Sequence, residues 1–490
     1  MKESNLSNKV LSGVIWNFFE KIAAQLVTFI VSIVLARLLA PEDYGAIALI
    51  TIFITIANVF VVSGFGNALI QKKNSDDIDF SSVFYFNIVF SVVVYFIIYF
   101  SAPYIAKFYD SNILIPTLRV LALKIVLAGV NSVQQAYVSK NMMFKKFFFS
   151  TSIGTIVSAF VGIGIALKGG GVWALVCQQL CNSFMDTIIL WFTVKWRPIL
   201  KFDINRLRIL ISYGWKVLAT NLINTLYDNL KNLIIGKKYS ASDLAFYSKG
   251  KQLPEMIVTN INSSISSVLF PAMALIQDDK ERLKNSIRKS IKVSSFLLLP
   301  LMAGLFVLAD DVIKLLLTDK WSFCIPYLRI ACIYLSTYPI NTANLQALNA
   351  IGRSDYYLKL EILKRGLGIF LILITMKYGV FWMACSDIIV SFFAIILNTY
   401  PNRKILNYPI EEQLRDLMPN IIRSILMALV VFYVSSIFNT YISSIIIRLG
   451  LSIIIGAVIY IILAILTKSE EFKLILEKIN IIKKKVNRGR

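Results

Sequence analysis

The chain has 490 residues, is 57% hydrophobic and carries a formal net charge of +23; soluble domains are about 45–50% apolar, so the excess points to a membrane. It contains no histidine, which excludes Ser-His-Asp and Cys-His catalysis, His-ligated metals and His proton relays together. Its five cysteines suggest neither the about four ligands of a zinc site nor a disulfide framework, and they read as small apolar packing residues.

Apolar runs of about 20 residues recur, the length that crosses ~30 Å of hydrocarbon as a helix. In chain order the expected spans are 12–35, 45–70, 81–101, 113–138, 148–167, 171–194, 209–236, 243–272, 293–317, 324–349, 359–377, 379–398, 419–438 and 443–467. This predicts an all-α polytopic membrane protein of about fourteen transmembrane helices. The opening MKESNLSNKVLSG has no small-residue cleavage site and runs straight into the first span, which reads as a retained helix and not a removed signal peptide.

Cations crowd alternate loops: KKNSDD after Gln71, KNMMFKK from Lys140, KWRPILKFDINRLR from Lys195, KERLKNSIRKSIK from Lys280, IGRSDYYLK, PNRK and the tail KINIIKKKVNRGR. Roughly 34 Lys and Arg fall on that side and about 9 on the other, which by the positive-inside rule puts both termini in the cytoplasm. The net charge is thereby assigned to topology, and no nucleic-acid partner is expected. From Lys468 the tail alternates apolar and basic residues and reads as an amphipathic helix on anionic membrane lipids.

Short matches recur at offsets of about 200–210 residues, the mark of a duplicated transporter. ARLLAPEDYG from Ala36 aligns with GKKYSASDLA from Gly236, placing Asp43 over Asp243. ALIQ occurs at Ala68 and Ala274, IPTLR from Ile115 matches IPYLR from Ile325, Asn131 aligns with Asn341, and GGVWA from Gly170 resembles YGVFWMA from Tyr378. The repeat is six spans plus six, and an even-numbered unit returns to its starting side. It predicts two six-helix lobes of like orientation in a parallel pseudo-two-fold arrangement. The division is an N-terminal lobe (1–200), a C-terminal lobe (201–405), two further spans (406–467) and the basic tail (468–490). Duplicated bundles of this kind rock about a midplane site.

Charged residues at the bilayer centre cost about 2.5–3.5 kcal/mol each and mark function or pairing. Residues four and seven apart share a helix face. Lys21 and Gln25 lead a polar stripe in span one, and Thr220, Asn224, Asp228 and Lys231 form one in span seven. Lys124, Asn131 and Gln135 align in span four, and Asn260, Ser263 and Ser267 in span eight. We expect Lys21, Lys124, Lys216 and Lys231 to face a cavity, with Gln25, Asn131, Gln135, Asn224 and Asn260 as its polar lining. Arg119 and Arg329 sit about one turn inside helices opened by Pro116 and Pro326. Two readings stand for them: binding an anion at the outer mouth of the cavity, or snorkelling to headgroups. Lys249 and Lys251 have the same two readings. An excess of cations suits an anionic substrate, such as a lipid-linked phosphate or an acidic sugar. Glu20, Asp186, Asp228 and Asp387 are candidates for proton or Na⁺ coupling, or for pairing with a neighbouring lysine. No large loop carries paired carboxylates, so the chain reads as a secondary transporter and not an enzyme, with no cofactor or metal.

The stretches GVIWNFFEKIAAQLVTFIVSIVLARLLAPEDYGAIAL, GFGNALIQKK, LFPAMALIQDD and GVWALV resemble the polysaccharide transport family of the multidrug/oligosaccharidyl-lipid/polysaccharide exporter superfamily. The nearest group is the colanic-acid and teichuronic-acid exporters. The resemblance implies a Wzx-type flippase that moves a polyprenyl-diphosphate-linked oligosaccharide across the bacterial cytoplasmic (inner) membrane, commonly driven by an ion gradient. It implies a role in polysaccharide biosynthesis, alongside a polymerase and assembly proteins. Related lipid II flippases use two extra helices as a lipid groove, which implies that spans thirteen and fourteen guide the polyprenyl tail. Within the superfamily the alternatives are a multidrug or cation antiporter and a lipid II flippase.

Overall fold

The computed structural model describes residues 24–62, 65–72, 75–474 and 476–477, and every regular element among them is helical. In a membrane each backbone N–H and C=O must be satisfied within its own segment or by a partner, which leaves helices as the economical answer for such apolar runs. Lys21 and Glu20 lie outside the described residues.

The chain separates into two compact units that meet in sequence at Ala245 and Phe246. The first contains α1 (Ala24–Leu38), α2 (Pro41–Val62), α3 (Phe65–Gln71), α4 (Asp77–Phe108), α5 (Leu114–Leu121), α6 (Leu123–Lys140), α7 (Lys145–Leu167), α8 (Val172–Thr193) and α9 (Ile204–Lys238). α10 (Ala241–Ala274) begins in the first unit and continues into the second. The second unit then holds α11 (Lys280–Val307), α12 (Ala309–Leu317), a 3₁₀ turn, α13 (Ile325–Leu335), α14 (Tyr338–Ala350), α15 (Ser354–Thr375), α16 (Val380–Leu406), α17 (Ile410–Tyr441) and α18 (Ile445–Leu466).

Among the described helices nine are long and apolar enough to cross a membrane, or ten if the bent pair 319–335 and 338–350, 42° apart, forms one span. The sequence leads one to expect about fourteen. The difference falls on α1, described over 15 residues, and on α8, α9 and α15. These three stand where spans six, seven and eleven are expected. Their polar residues dilute them: Asn182 and Asp186 in α8, Lys216, Asp228 and Lys231 in α9, Glu361, Lys364 and Arg365 in α15.

The duplicated segments build matching local structures. At the α1–α2 turn the N–H of Ala40 donates to Asp43 Oδ2 at 3.2 Å, and at the α9–α10 turn the N–H of Ser240 donates to Asp243 Oδ2 at 3.1 Å. The aspartate three residues into each helix thus reaches back to the residue before it, satisfying a donor that the helix start leaves open. Gly171 and Gly379 precede α8 and α16 at φ +50° and +114°, where a side chain would be strained.

α9 packs on α2, α3 and α4 within the first unit, although the repeat assigns it to the second lobe. Its end and the start of α10 lock onto the start of α2 and the turn after α4. A Cβ on Gly45 would collide with the carbonyl oxygen of Ala241, Ser242 Oγ donates to Glu42 Oε1 at 2.7 Å, and Lys237 pairs with Asp110 at 3.1 Å. Away from that end, Phe80, Phe84, Tyr137, Trp191 and Trp196 form an aromatic cluster joining α4, α6 and α8. Between membrane helices it is such packing and hydrogen bonding that drives association, since lipid is as apolar as the side chains.

Candidate functional site

Three helices of the first unit turn polar faces toward one another. α2 contributes Thr55, Asn58, Val59 and Val62, α6 contributes Lys124, Leu127, Ala128, Asn131 and Gln135, and α8 contributes Asn182, Ser183, Asp186 and Thr187. On α2 and α6 these residues recur at steps of three and four, one stripe per helix. They enclose a cleft of about 350 Å³. Of the expected site residues it gathers Lys124, Asn131, Gln135 and Asp186.

Asp186 orders the cleft wall. Its Oδ2 accepts from Asn131 Nδ2 at 2.8 Å and its Oδ1 from Ser150 Oγ of α7 at 2.6 Å. Asn131 is 5% exposed, and the bond fixes which end of its amide is free. Its Oδ1, like that of Asn58, has no hydrogen-bond partner among the described residues. Among the described residues Asp186 therefore pairs with an amide and a hydroxyl.

The second unit assembles a different constellation on α10, α13 and α16. Tyr247 donates to Asp387 Oδ2 at 3.4 Å and Tyr334 to Glu255 Oε1 at 3.2 Å. Lys251 Nζ lies 3.5 Å from Glu255 and 5.0 Å from the centre of the Tyr247 ring. Lys249 donates to Gln252 Oε1 at 3.1 Å. The acids and lysines here are thus held by tyrosines and by one another.

Arg119 and Arg329 have partners that neither sequence reading foresaw. Arg119 Nε donates to the carbonyl of Tyr99 at 3.2 Å, and its guanidinium lies 4.2 Å from the centre of the Tyr99 ring. Arg329 Nε donates to the carbonyl of Phe306 at 3.3 Å, lies 5.8 Å over that ring and pairs with Asp310. The acceptors explain the arrangement. Pro103 lies inside α4 and has no N–H, so the carbonyl four residues before it loses its helical donor. Phe306 sits in the last turn of α11, where carbonyls are left open. In each repeat the arginine caps an open carbonyl of an earlier helix and stacks on the same residue's ring.

The other expected residues do not line the cleft. Gln25 is half-buried on α1; on α9, Lys216 and Asp228 are exposed, Asn224 is half-buried and Lys231 is 6% exposed. Asn260 donates to the carbonyl of Met256 on its own helix at 2.9 Å. Thr55, Asn58, Asn182, Ser183, Tyr247 and Tyr334 were missed by sequence reasoning. The four-residue spacing of Asn182 and Asp186 was the available signal. The five cysteines carry no disulfide.

A family profile described as polysaccharide biosynthesis protein matches residues 34–326, more than half of the chain. The chain belongs to the polysaccharide biosynthesis protein family. The matched segment contains every residue of the cleft. Among curated proteins, the teichuronic acid biosynthesis protein TuaB of Bacillus subtilis is 24% identical over 94% of this chain and 96% of its own length. The lipopolysaccharide biosynthesis protein WzxC of Escherichia coli is 23% identical over 74% of each. Among solved structures, the lipid II flippase MurJ in an inward closed conformation superposes with a TM-score of 0.73 over 94% of this chain and 99% of its own, at 16% identity. An inward-facing multidrug resistance MATE transporter gives 0.61 over 79% and 96%, at 15% identity. At such identities the two structures show that this family member has their all-helical membrane fold.

Proposed function

We propose that this protein is a flippase that moves a polyprenyl-diphosphate-linked oligosaccharide across the bacterial cytoplasmic membrane, supplying a surface polysaccharide. The observation that carries the reading is a polar, lysine-bearing cleft walled by transmembrane helices, in a chain of this family. A glycan and a diphosphate do not cross hydrocarbon unaided, because each polar group buried without a partner is costly. A prenyl tail has no such barrier and can stay in lipid. The apolar groove of about 460 Å³ between α10, α11, α17 and α18, lined by Phe296, Leu301, Val431 and Ile453, suits that tail.

In this scheme the termini are cytoplasmic and the two lobes alternate access to either side of the membrane. Lys21, Lys216 and Lys231 supply positive potential for the diphosphate, and Lys124 stands in the cleft beside the glycan. A proton or Na⁺ resets the lobes, with Asp186, Asp228, Asp387 and Glu20 as the acids available. A polymerase and assembly proteins take the product. Charge-neutral replacement of Lys21, Lys124 and Lys231 together is expected to abolish polymer in a strain that depends on this protein, at unchanged protein level. Normal polymer output from that variant overturns the cationic cavity. The carboxylate of Asp186 in the cleft favours one second reading, export of cationic drugs, which predicts drug resistance on expression.

A further inference from the structure

Resting on the flippase reading, we infer that the cleft between α2, α6 and α8 is a sugar-binding subsite, which recognises a hydroxyl-rich pyranose of the glycan and is separate from the seat of the diphosphate.

The lining chemistry separates the possible ligands. A sugar hydroxyl donates one hydrogen bond and accepts others, and side-chain amides can answer both. The cleft offers four amides, those of Asn58, Asn131, Gln135 and Asn182, with Asp186 and Lys124 beside them. Two acceptors, Asn58 Oδ1 and Asn131 Oδ1, have no partner among the described residues. They call for a ligand that donates. A diphosphate is acceptor-only when ionised and would also face the Asp186 carboxylate, so it satisfies neither.

A single metal ion fits less well. The space is about 350 Å³, within the range of small-molecule pockets. Lys124 already brings a positive charge to the cleft wall, and both carboxylate oxygens of Asp186 already accept a hydrogen bond. Val59, Val62, Leu127 and Ala128 complete the lining and give the C–H face of a pyranose an apolar surface to lie on. Lys124 is available to the carboxylate of an acidic sugar. No aromatic ring lines the cleft among the described residues, so recognition rests on hydrogen bonds. A site built to bond a hydroxyl discriminates strongly against a ligand that lacks it. The cleft is therefore where one glycan is told from another.

The test uses the full-length protein in lipid nanodiscs and measures its affinity for two probes. One is undecaprenyl diphosphate alone; the other is a set of the same carrier bearing glucose, galactose or glucuronic acid. We expect at least one glycosylated carrier to bind about tenfold or more tightly than the bare carrier, the worth of one or two hydrogen bonds. Asn58→Ala, whose side chain has no hydrogen bond to break among the described residues, and Asn131→Ala should each reduce that preference while leaving bare-carrier affinity unchanged. Asn58→Ala also guards against a folding defect in Asn131→Ala, which removes a partner of Asp186. Equal binding of every glycosylated carrier and the bare one overturns the subsite. So does a preference that survives both substitutions. A Na⁺-induced stabilisation without carrier, lost in Asn131→Ala, overturns it in favour of a cation site. Failure of the wild-type protein to bind even the bare carrier overturns the flippase reading itself.

Discussion

Asn131 and Asn341 stand at matching places in the two repeats, and the molecule uses them in opposite ways. In the first unit Asn131 is held by Asp186 and leaves its carbonyl oxygen open beside a cleft. In the second, Asn341 Oδ1 accepts from Asn398 at 2.8 Å and its Nδ2 donates to Thr337 at 3.1 Å. One turn on, Asn344 donates to Gln413 at 2.7 Å and accepts from Asn402 at 2.7 Å, all three buried. Gln413 belongs to α17, a helix outside the repeat. Asn341 and Asn344 thus have both ends of their amides partnered, although the oxygens of Asn398 and Asn402 beside them have no partner among the described residues, and the unit bears apolar grooves of about 460 and 720 Å³. The unit that carries α17 and α18 presents apolar surface, and the other presents a polar cleft.

The sharpest way to break this comparison is to detach the added helices. α18 is tied to α12 by Arg448, whose Nε donates to Asp311 Oδ2 at 2.9 Å, with both side chains nearly buried. Removing one member strands a charge, so Arg448→Ala should cost about 3–5 kcal/mol, while an apolar pair such as Arg448→Met with Asp311→Leu recovers most of it. Thermal unfolding of purified protein reads both. An unchanged melting temperature in Arg448→Ala would show that the pair does not hold α18.

A matched pair of amide substitutions comes next. Asn344→Leu in the closed network should cost about 1–3 kcal/mol, because Gln413 and Asn402 lose buried partners. Asn58→Leu beside the open cleft should stay within about 0.5 kcal/mol yet lower polymer output. Equal stability losses at the two positions would erase the distinction between a closed and an open amide set.

Much of the frame was legible in the sequence, and the reason is periodicity. The 3.6-residue stripe predicted that Lys124, Asn131 and Gln135 share a face, and the structure puts all three on one cleft. The aligned Asp43 and Asp243 do the same job at two helix starts. What the sequence withheld depends on partners far along the chain. Nothing near Arg119 says that Pro103 has freed a carbonyl for it, and nothing near Asp387 points to Tyr247. Asn58 was invisible because one amide in an apolar span looks like any interhelical hydrogen bond. The helices that fall short as spans, α8 and α9, do so because their polar residues lower the hydropathy of an otherwise apolar segment.

The arginines offer a finer test of whether the repeats share a device. If Pro103 opens the carbonyl that Arg119 fills, Arg119→Ala should cost about 1–2 kcal/mol, typical of a hydrogen bond from a charged group. Pro103→Ala restores the helical N–H, so the same arginine substitution should cost less in that background. A double-mutant cycle by thermal unfolding measures the coupling. Arg329→Ala should cost less than Arg119→Ala, since Arg329 is 39% exposed and shares its charge with a half-exposed Asp310. No coupling between Pro103 and Arg119 would leave the stacking on Tyr99 as the whole interaction.

The smallest effect lies at the loop before α4 in the first unit. Arg206 bonds Asp76 at 2.6 Å, and the N–H of Asp79 adds a second bond. The Arg206 hydrogen bond, then that backbone bond, hold the Asp76 carboxyl below its usual value. A depressed carboxylate contributes stability that is fully present above its unfolded pKa of about 4 and is lost as pH falls through the folded value. Melting temperature should therefore fall on acidification below about pH 4, and Arg206→Gln should flatten that part of the slope while changing little at pH 7. The carboxylate is exposed and screened, so the shift is a small one. An identical acid slope in Arg206→Gln would show that the Arg206 bond to Asp76 does not set the acid sensitivity.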